Sequence, residues 1–248
     1  MSERSLLLRS VGAQTRAELI LTARRGENVL ITMIVPVALL IFFTALGVPG
    51  LTTDRPVDFL LPGMLALAII ANGMVSLGIA TAYERYYGVL KRLGASPLPR
   101  GGLLIAKALA VLALELAQVV VLVGIAALVY GWRPAGVPLL ALLVIVLGTI
   151  TFAGIGLAMA GALRAEATLA GANALYLFFL IISGAVLPLE RLPGLLGDLA
   201  RLLPAAALTE ALRAAMTTGS AAPTTALIVL LVWGVGALAI AARTFRWE

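Results

Sequence analysis

The sequence predicts an all-α integral membrane protein with six transmembrane helices, and three observations support this prediction. Apolar residues make up 62% of the 248 residues and charged residues only 12%, whereas soluble domains contain roughly 45–50% and about 25%. Six stretches are apolar over the length of about 20 residues that a helix needs to cross a bilayer. The basic residues are distributed unevenly between the loops on the two sides. Lipid is therefore the solvent that fits this chain.

The six predicted spans lie between two terminal segments. They cover 29–47, 59–82, 103–130, 137–161, 168–187 and 222–242, so that 29–242 is the transmembrane domain and 243–248 a cytoplasmic tail. Residues 1–28 precede the first span. In this segment Leu8, Val11, Thr15, Leu19 and Thr22 recur at helical spacing among arginines, which indicates an amphipathic helix in the cytoplasmic interface. A solvated tail is the alternative.

The basic residues determine the orientation of the spans. An even number of spans places both termini on one side, and that side carries 13 of the 18 Lys and Arg residues against 5 on the other. Because Lys and Arg accumulate in cytoplasmic loops, we predict that both termini are cytoplasmic. The first group is Arg4, Arg9, Arg16, Arg24, Arg25, Arg85, Lys91, Arg92, Arg100, Lys107, Arg164, Arg243 and Arg246, and the second is Arg55, Arg133, Arg191, Arg201 and Arg213. The net charge of +6 then reflects topology and not nucleic-acid binding, since no basic patch with interleaved aromatic residues accompanies it.

Between spans five and six, residues 188–219 are apolar but broken by Pro188, Pro193 and Pro204. The pieces are too short to cross a bilayer, so we predict short interfacial or re-entrant helices on the outer side. Leu195, Leu199, Leu202 and Leu203 form one face of this segment, and Asp198 and Arg201 lie on another.

Few residues could support catalysis. The chain has no Cys and no His, which removes thiolate chemistry and the commonest general base and metal ligand. Lys91 and Lys107 are the only lysines and neither follows a glycine, so a Walker A loop is excluded. Close carboxylate pairs are absent from the spans. We predict that the chain is not an enzyme and carries no catalytic, cofactor or metal site of its own.

The loop after span two, residues 83–102, is the most informative segment. Charged and aromatic residues precede a short apolar and basic helix, which Gly94 and Pro97 end. An ordinary positive-inside loop would have this composition. The functional interpretation is a docking helix for a cytoplasmic partner, with Val89, Leu90 and Leu93 as apolar anchors and Lys91 and Arg92 as orienting charges.

Polar residues inside the spans are rare. Glu115 is the only acidic residue deep in a span, where a charge costs roughly 2.5–3.5 kcal/mol, and Gln118 follows on the same face. Asn72 lies at similar depth in span two. One hypothesis is that Glu115 and Asn72 line a shared polar seam, and the alternative is a structural interhelical hydrogen bond worth about 0.6 kcal/mol.

Three motifs resemble a known family. They are Glu84-Arg85-x-x-Gly88-x-Leu90-Lys91-Arg92-Leu93-x-Ala95-x-Pro97, then Ser183-Gly184-Ala185-Val186-Leu187-Pro188-Leu189-Glu190-x-Leu192-Pro193, and finally Leu203-Pro204 with Glu210-Ala211-Leu212-Arg213. Their order and spacing resemble the permease subunits of bacterial ABC exporters of the daunorubicin-resistance type, within the ABC-2 superfamily. Tyr86 and Tyr87 stand where members often carry charged residues.

The resemblance implies two permease subunits, a homodimer or a pair with a similar second permease, and two separate ATPase subunits that bind ATP and Mg. It also implies a coupling helix within Glu84–Pro97, with Glu84 and Arg85 matching the family's charged pair and Gly88 belonging to the same motif. The expected location is the bacterial inner membrane, with lipids as further partners, and the expected function is export of drugs, lipids, peptides or glycans.

Two other classes are weighed against the exporter. A stand-alone secondary transporter or channel is disfavoured because ion-coupled work usually needs several ionisable groups within the membrane. A membrane-embedded enzyme is less favoured still, because His, Cys and clustered carboxylates are missing. The sequence does not distinguish among cargoes, since apolar cavity walls are common to all helix bundles in lipid.

Overall fold

The computed structural model describes residues 3–24, 26–46, 55–96 and 98–245. Within these ranges the chain is helical and contains no strand, which confirms the all-α prediction. The α-helices are α1 (Glu3–Arg24), α2 (Gly26–Leu46), α3 (Pro56–Ile70), α4 (Leu77–Tyr86), α5 (Val89–Gly94), α6 (Arg100–Tyr130), α7 (Pro138–Ala162), α8 (Ala165–Ile182), α9 (Gly194–Arg201), α10 (Pro204–Met216) and α11 (Thr224–Thr244). A π-helical segment, Ala71–Ser76, joins α3 to α4, and a 3-10 turn, Leu189–Arg191, precedes α9.

Five of the described helices are long and apolar enough to cross a membrane. They are Pro56–Tyr86, which includes the π segment, and Arg100–Tyr130, Pro138–Ala162, Ala165–Ile182 and Thr224–Thr244. The predicted first span, 29–47, falls on α2, whose apolar part is described from Thr32 to Leu46. Gly47, the predicted end of that span, lies outside the described residues, as do Arg25, Pro97 and Arg246 and the side chain of Arg4.

Span five ends earlier than the sequence predicts. The helix α8 stops at Ile182, whereas the predicted span continues to residue 187. Gly184 adopts a left-handed conformation with φ of 73°, and such a residue directly after the last helical turn ends a helix. The following residues form a bent segment that leads to the 3-10 turn.

The helix α7 packs closely against two other elements. A Cβ on Gly156 would lie 2.7 Å from the carbonyl oxygens of Gly73 and Met74, and one on Gly154 would lie 3.0 Å from the Cβ of Ala237. Small residues therefore let α7 approach both the π segment and α11 at backbone distance. This close packing fixes the π segment in the middle of the bundle.

The segment between α8 and α11 divides into an exposed and a buried helix. On α9, Leu195 and Leu199 are exposed, as is Leu202 directly after it, and Arg201 lies 3.6 Å from Glu190. On α10 the residues from Pro204 to Thr209 are buried, and the helix packs against α3, α7 and α11. The segment thus contributes a core helix as well as a surface helix.

The N-terminal helix α1 packs along α6. Val11 is buried on this contact, whereas Leu8 of the predicted apolar face is exposed and Thr15, Leu19 and Thr22 are half-buried. The predicted helix is present, and at Val11 it packs against other helices of the protein.

Candidate functional site

A cavity of about 790 Å³ opens between α1, α2, α6, α8 and the span formed by α3, the π segment and α4. Its volume lies within the roughly 300–1,000 Å³ of small-molecule sites. The walls are mostly apolar, from side chains such as Leu21, Val35, Ile79 and Leu114. The polar residues that line it are Glu18, Thr22, Thr32, Asn72, Ser76, Tyr83, Glu84, Lys107, Asn173 and Tyr176.

At one end of this cavity, Lys107 joins three helices. Its side chain is 1% exposed, and Nζ lies 2.9 Å from Oε1 of Glu18 on α1 and 2.7 Å from Oε2 of Glu84 on α4. A buried ammonium group needs such partners because an isolated buried charge is strongly unfavourable. We call these three residues the lysine triad.

Arg85, the neighbour of Glu84, binds a different part of the bundle. Nη1 donates to the carbonyl oxygen of Gly161 at 2.8 Å, and Nη2 donates to that of Leu163. Carbonyl groups at the end of a helix lack intrahelical donors, so Arg85 satisfies the C-terminal end of α7. The two residues of the predicted charged pair therefore bind different groups within the protein: Glu84 binds Lys107, and Arg85 binds the end of α7.

The short helix α5 runs from Val89 to Gly94, within the loop that the sequence singles out. Gly88 precedes it with φ of 71°, a left-handed conformation that glycine adopts without steric cost. Leu90 is 1% exposed and packs with Val11, Leu98, Leu103, Ala106 and Phe245, and Leu93 is partly buried against the same cluster. Two of the three predicted docking anchors thus face the bundle.

The outer surface of α5 is formed by other residues. Val89, Lys91 and Arg92 are exposed, as are Tyr86 and Tyr87 at the end of α4. The ring of Tyr87 is stacked on that of Tyr83 with centroids 6.1 Å apart. We call Tyr86, Tyr87, Val89, Lys91 and Arg92 the loop surface.

The polar residues predicted within the spans separate into two groups. Asn72 donates from Nδ2 to Oε1 of Gln118 at 2.7 Å, and Gln118 donates from Nε2 to the carbonyl oxygen of Thr32 at 2.6 Å. These bonds connect the π segment, α6 and α2. π-Helical turns are rare in proteins, and those that occur often lie at functional sites. Asn72 belongs to such a turn and lines the cavity.

Glu115 lies away from this group. It is 1% exposed and accepts a hydrogen bond from Oγ1 of Thr149 on α7, and it is not among the residues that line the cavity. Among the described residues its Oε1 has no hydrogen-bond partner. The structure therefore brings Asn72 together with Gln118 and directs Glu115 toward α7.

Sequence reasoning missed the lysine triad. The available signal was Lys107 itself, because a lysine within an apolar helix requires a partner, but the sequence did not identify Glu18 or Glu84 as that partner. In the described ranges, no group of three or more His, Cys, Asp or Glu residues is placed to hold a metal ion.

A comparison with protein-family models matches residues 9–217 to the family described as ABC-2 type transporter. No curated protein sequence matches the chain. The family match extends from α1 to the residue after α10 and includes the cavity and α5, and it agrees with the resemblance that the sequence motifs predict. The chain is a multi-pass membrane protein and belongs to the ABC-2 type transporter family, a family of transport permeases.

Proposed function

We propose that this chain is the permease subunit of an ABC exporter in the bacterial inner membrane, driven by a separate ATPase subunit. In this proposal α2 is the first of six spans, both termini are cytoplasmic, and two permease subunits act with two ATPases that bind ATP and Mg. The cavity is the inner part of the translocation path, with Asn72 and Gln118 at its wall.

The observation that carries the proposal is the two-sided character of α5. Its inward side chain, Leu90, is fully buried against α1 and α6, while Val89 and Arg92 on the other side are exposed. A helix anchored in this way can receive a force on its outer surface and pass it to the bundle. Exposed tyrosine and arginine side chains on the loop surface are of the types that dominate protein interfaces.

The loop surface also lies next to the cavity. Tyr83 and Glu84 line the cavity and belong to the same helix that ends at Tyr86. Movement of α5 would therefore reach the cavity wall within one or two helical turns. In the proposal, nucleotide-driven closure of the ATPase pair supplies that movement.

Co-purification tests the docking role. A tagged chain is extracted from its native membrane, and the bound ATPase subunit is quantified by mass spectrometry. We expect Val89→Asp with Arg92→Glu to reduce the bound ATPase at least tenfold, because both substitutions alter exposed contact groups. Arg133→Glu changes the charge of an exposed residue after α6 and is the matched control, with wild-type binding expected.

Two outcomes would contradict the proposal. Full retention of the ATPase by the Val89 and Arg92 variant would remove the docking role of the loop surface. If the wild-type chain binds no ATPase, a stand-alone transporter or channel becomes the better assignment. Leu90→Asp with Leu93→Asp is a poor test, because Leu90 is a core residue and the substitution would disrupt the bundle itself.

A further inference from the structure

We infer that Lys107 is a positioning residue that makes the N-terminal helix α1, the docking helix α5 and the cavity wall move as one unit. The inference rests on the proposed function, since it assigns the path by which movement of α5 reaches the cavity. In this inference Lys107 acts through Glu18 and Glu84, the two carboxylates that its ammonium group binds.

The first step is the attachment of α5 to α1. Leu90 of α5 packs in one buried cluster with Val11 of α1 and with Leu103 and Ala106 of α6. A displacement of α5 therefore pushes directly on α1 and on the beginning of α6. This contact is apolar, and apolar contacts alone permit sliding because they have no preferred direction.

The second step is the lysine triad, which removes that freedom. Glu18 of α1 and Glu84 of α4 both bind the ammonium group of Lys107 on α6, at 2.9 Å and 2.7 Å. Since Lys107 is 1% exposed, withdrawal of either carboxylate would leave a buried charge with one partner fewer. The three helices consequently keep a fixed mutual position while the triad is intact.

The third step connects the triad to the cavity. Glu18, Glu84 and Lys107 all line it, together with Thr22 of α1 and Tyr83 of α4. The helix α2 contacts α1, and its Val35 and Pro36 lie on the same cavity. Movement received at α5 is thus delivered to two walls, through α4 directly and through α1 to α2.

The test uses the absence of cysteine from the natural chain. Ser76→Cys introduces a single thiol on the cavity wall with little change of side-chain size. The complex of this variant with its co-purified ATPase is placed in nanodiscs, and the rate of labelling by a water-soluble maleimide is followed with and without ATP, Mg and vanadate. The background chain is expected to show at least a threefold change of rate with nucleotide.

In this background Lys107→Met is expected to abolish the nucleotide-dependent change while it binds the ATPase within twofold of the parent chain. The exchange Glu84→Lys with Lys107→Glu keeps one cation and two carboxylates at the site, and we expect it to restore at least half of the response. Arg133→Met, at an exposed position outside the triad, is expected to behave as the parent chain. If Lys107 were only structural, Lys107→Met would lower the stability of the chain, and ATPase binding and the nucleotide response would be lost together.

The inference is overturned if Lys107→Met responds to nucleotide as the parent chain does, or if the exchange variant fails to recover. If no ATPase co-purifies with the parent chain, the proposed function fails. The position of α1 is then tested on the isolated chain by the rate of tryptic cleavage at Arg16 and Arg24. Faster cleavage in Lys107→Met, restored by the exchange, supports the positioning of α1 by Lys107. Unchanged cleavage rejects it.

Discussion

Arg213 donates a hydrogen bond from Nη2 to the carbonyl oxygen of Gly184 at 2.9 Å, and so joins residues of two different sequence motifs that are 29 positions apart in the chain. Its Cζ atom lies 3.9 Å from the centroid of the Phe59 ring. Burial lowers the pKa of Arg213 to about 10, against the opposing Coulombic effect of Glu190 and Glu210. The guanidinium therefore remains protonated at neutral pH and holds the bent segment after α8 against α3 and α10.

Replacement of Arg213 should loosen this contact. We expect Arg213→Leu to lower stability by about 1–3 kcal/mol, because it removes a charge-assisted hydrogen bond and leaves the Gly184 carbonyl without this donor. Thermal unfolding of the purified chain in nanodiscs measures the effect. Arg133→Leu, which truncates an exposed arginine, is the control. Equal unfolding temperatures for the two variants would show that the Arg213 contact contributes little.

The close approach of α7 to the π segment predicts a strong effect of a single methyl group. A Cβ at position 156 would lie 2.7 Å from two backbone oxygens, and backbone cannot move aside as a side chain can. We expect Gly156→Ala to cost about 1–3 kcal/mol by overpacking. Gly124→Ala adds the same group in α6 where nothing lies within 4 Å, and it should be neutral or slightly stabilising. The same thermal assay compares them, and a tolerated Gly156→Ala would contradict the packing argument.

The position of Glu115 predicts that its charge is dispensable for transport. Glu115→Gln keeps an oxygen that can accept from Thr149, and the residue does not line the cavity. We expect ATP hydrolysis by the reconstituted complex to stay within twofold of wild type. Thr149→Val should cost about 0.6 kcal/mol, as an interhelical hydrogen bond in a membrane does. A tenfold loss of hydrolysis in a normally assembled Glu115→Gln complex would show that the carboxylate has a functional role.

Asn72 and Gln118 should be energetically coupled. Their side chains form a direct hydrogen bond, so the effects of Asn72→Ala and Gln118→Ala on stability should not add. We expect a coupling energy of about 0.6 kcal/mol from a double-mutant cycle, measured by unfolding in nanodiscs. The pair Asn72→Ala and Thr149→Val, which shares no hydrogen bond, is the additive control. Strict additivity for Asn72 and Gln118 would contradict the expectation, because it would show that their direct bond contributes no coupling energy.

The all-helical class is predictable from the sequence because it depends on local properties of the chain. The long apolar stretches and the prolines at 188, 193 and 204 act over a few neighbouring residues. The exception is the end of α8, where the apolar run continues to residue 187 but the backbone turns at Gly184. Apolar composition alone does not locate such a turn, because the residues that follow it are equally apolar.

The candidate site was predictable only in part. Asn72 and Gln118 stand out as polar residues in apolar helices, but the preference of Asn72 for Gln118 over Glu115 depends on how the π segment faces α6. The sequence of α5, considered alone, predicts that Leu90 contacts an external partner. It is buried because Val11 of α1 and Leu103 of α6 cover it, and these contacts join residues far apart in the chain.

The sequence by itself determined the membrane environment, the helical class and the lack of cysteine and histidine, because composition and hydrophobic length are properties of the chain. Only the tertiary structure decided which side of each helix is internal. Within a bilayer, an apolar side chain can face either protein or lipid at similar cost, so hydrophobicity does not select the buried face of a helix. Close packing at Gly156, the lysine triad and the Arg213 contact make that selection, and each depends on residues brought together only when the helices assemble.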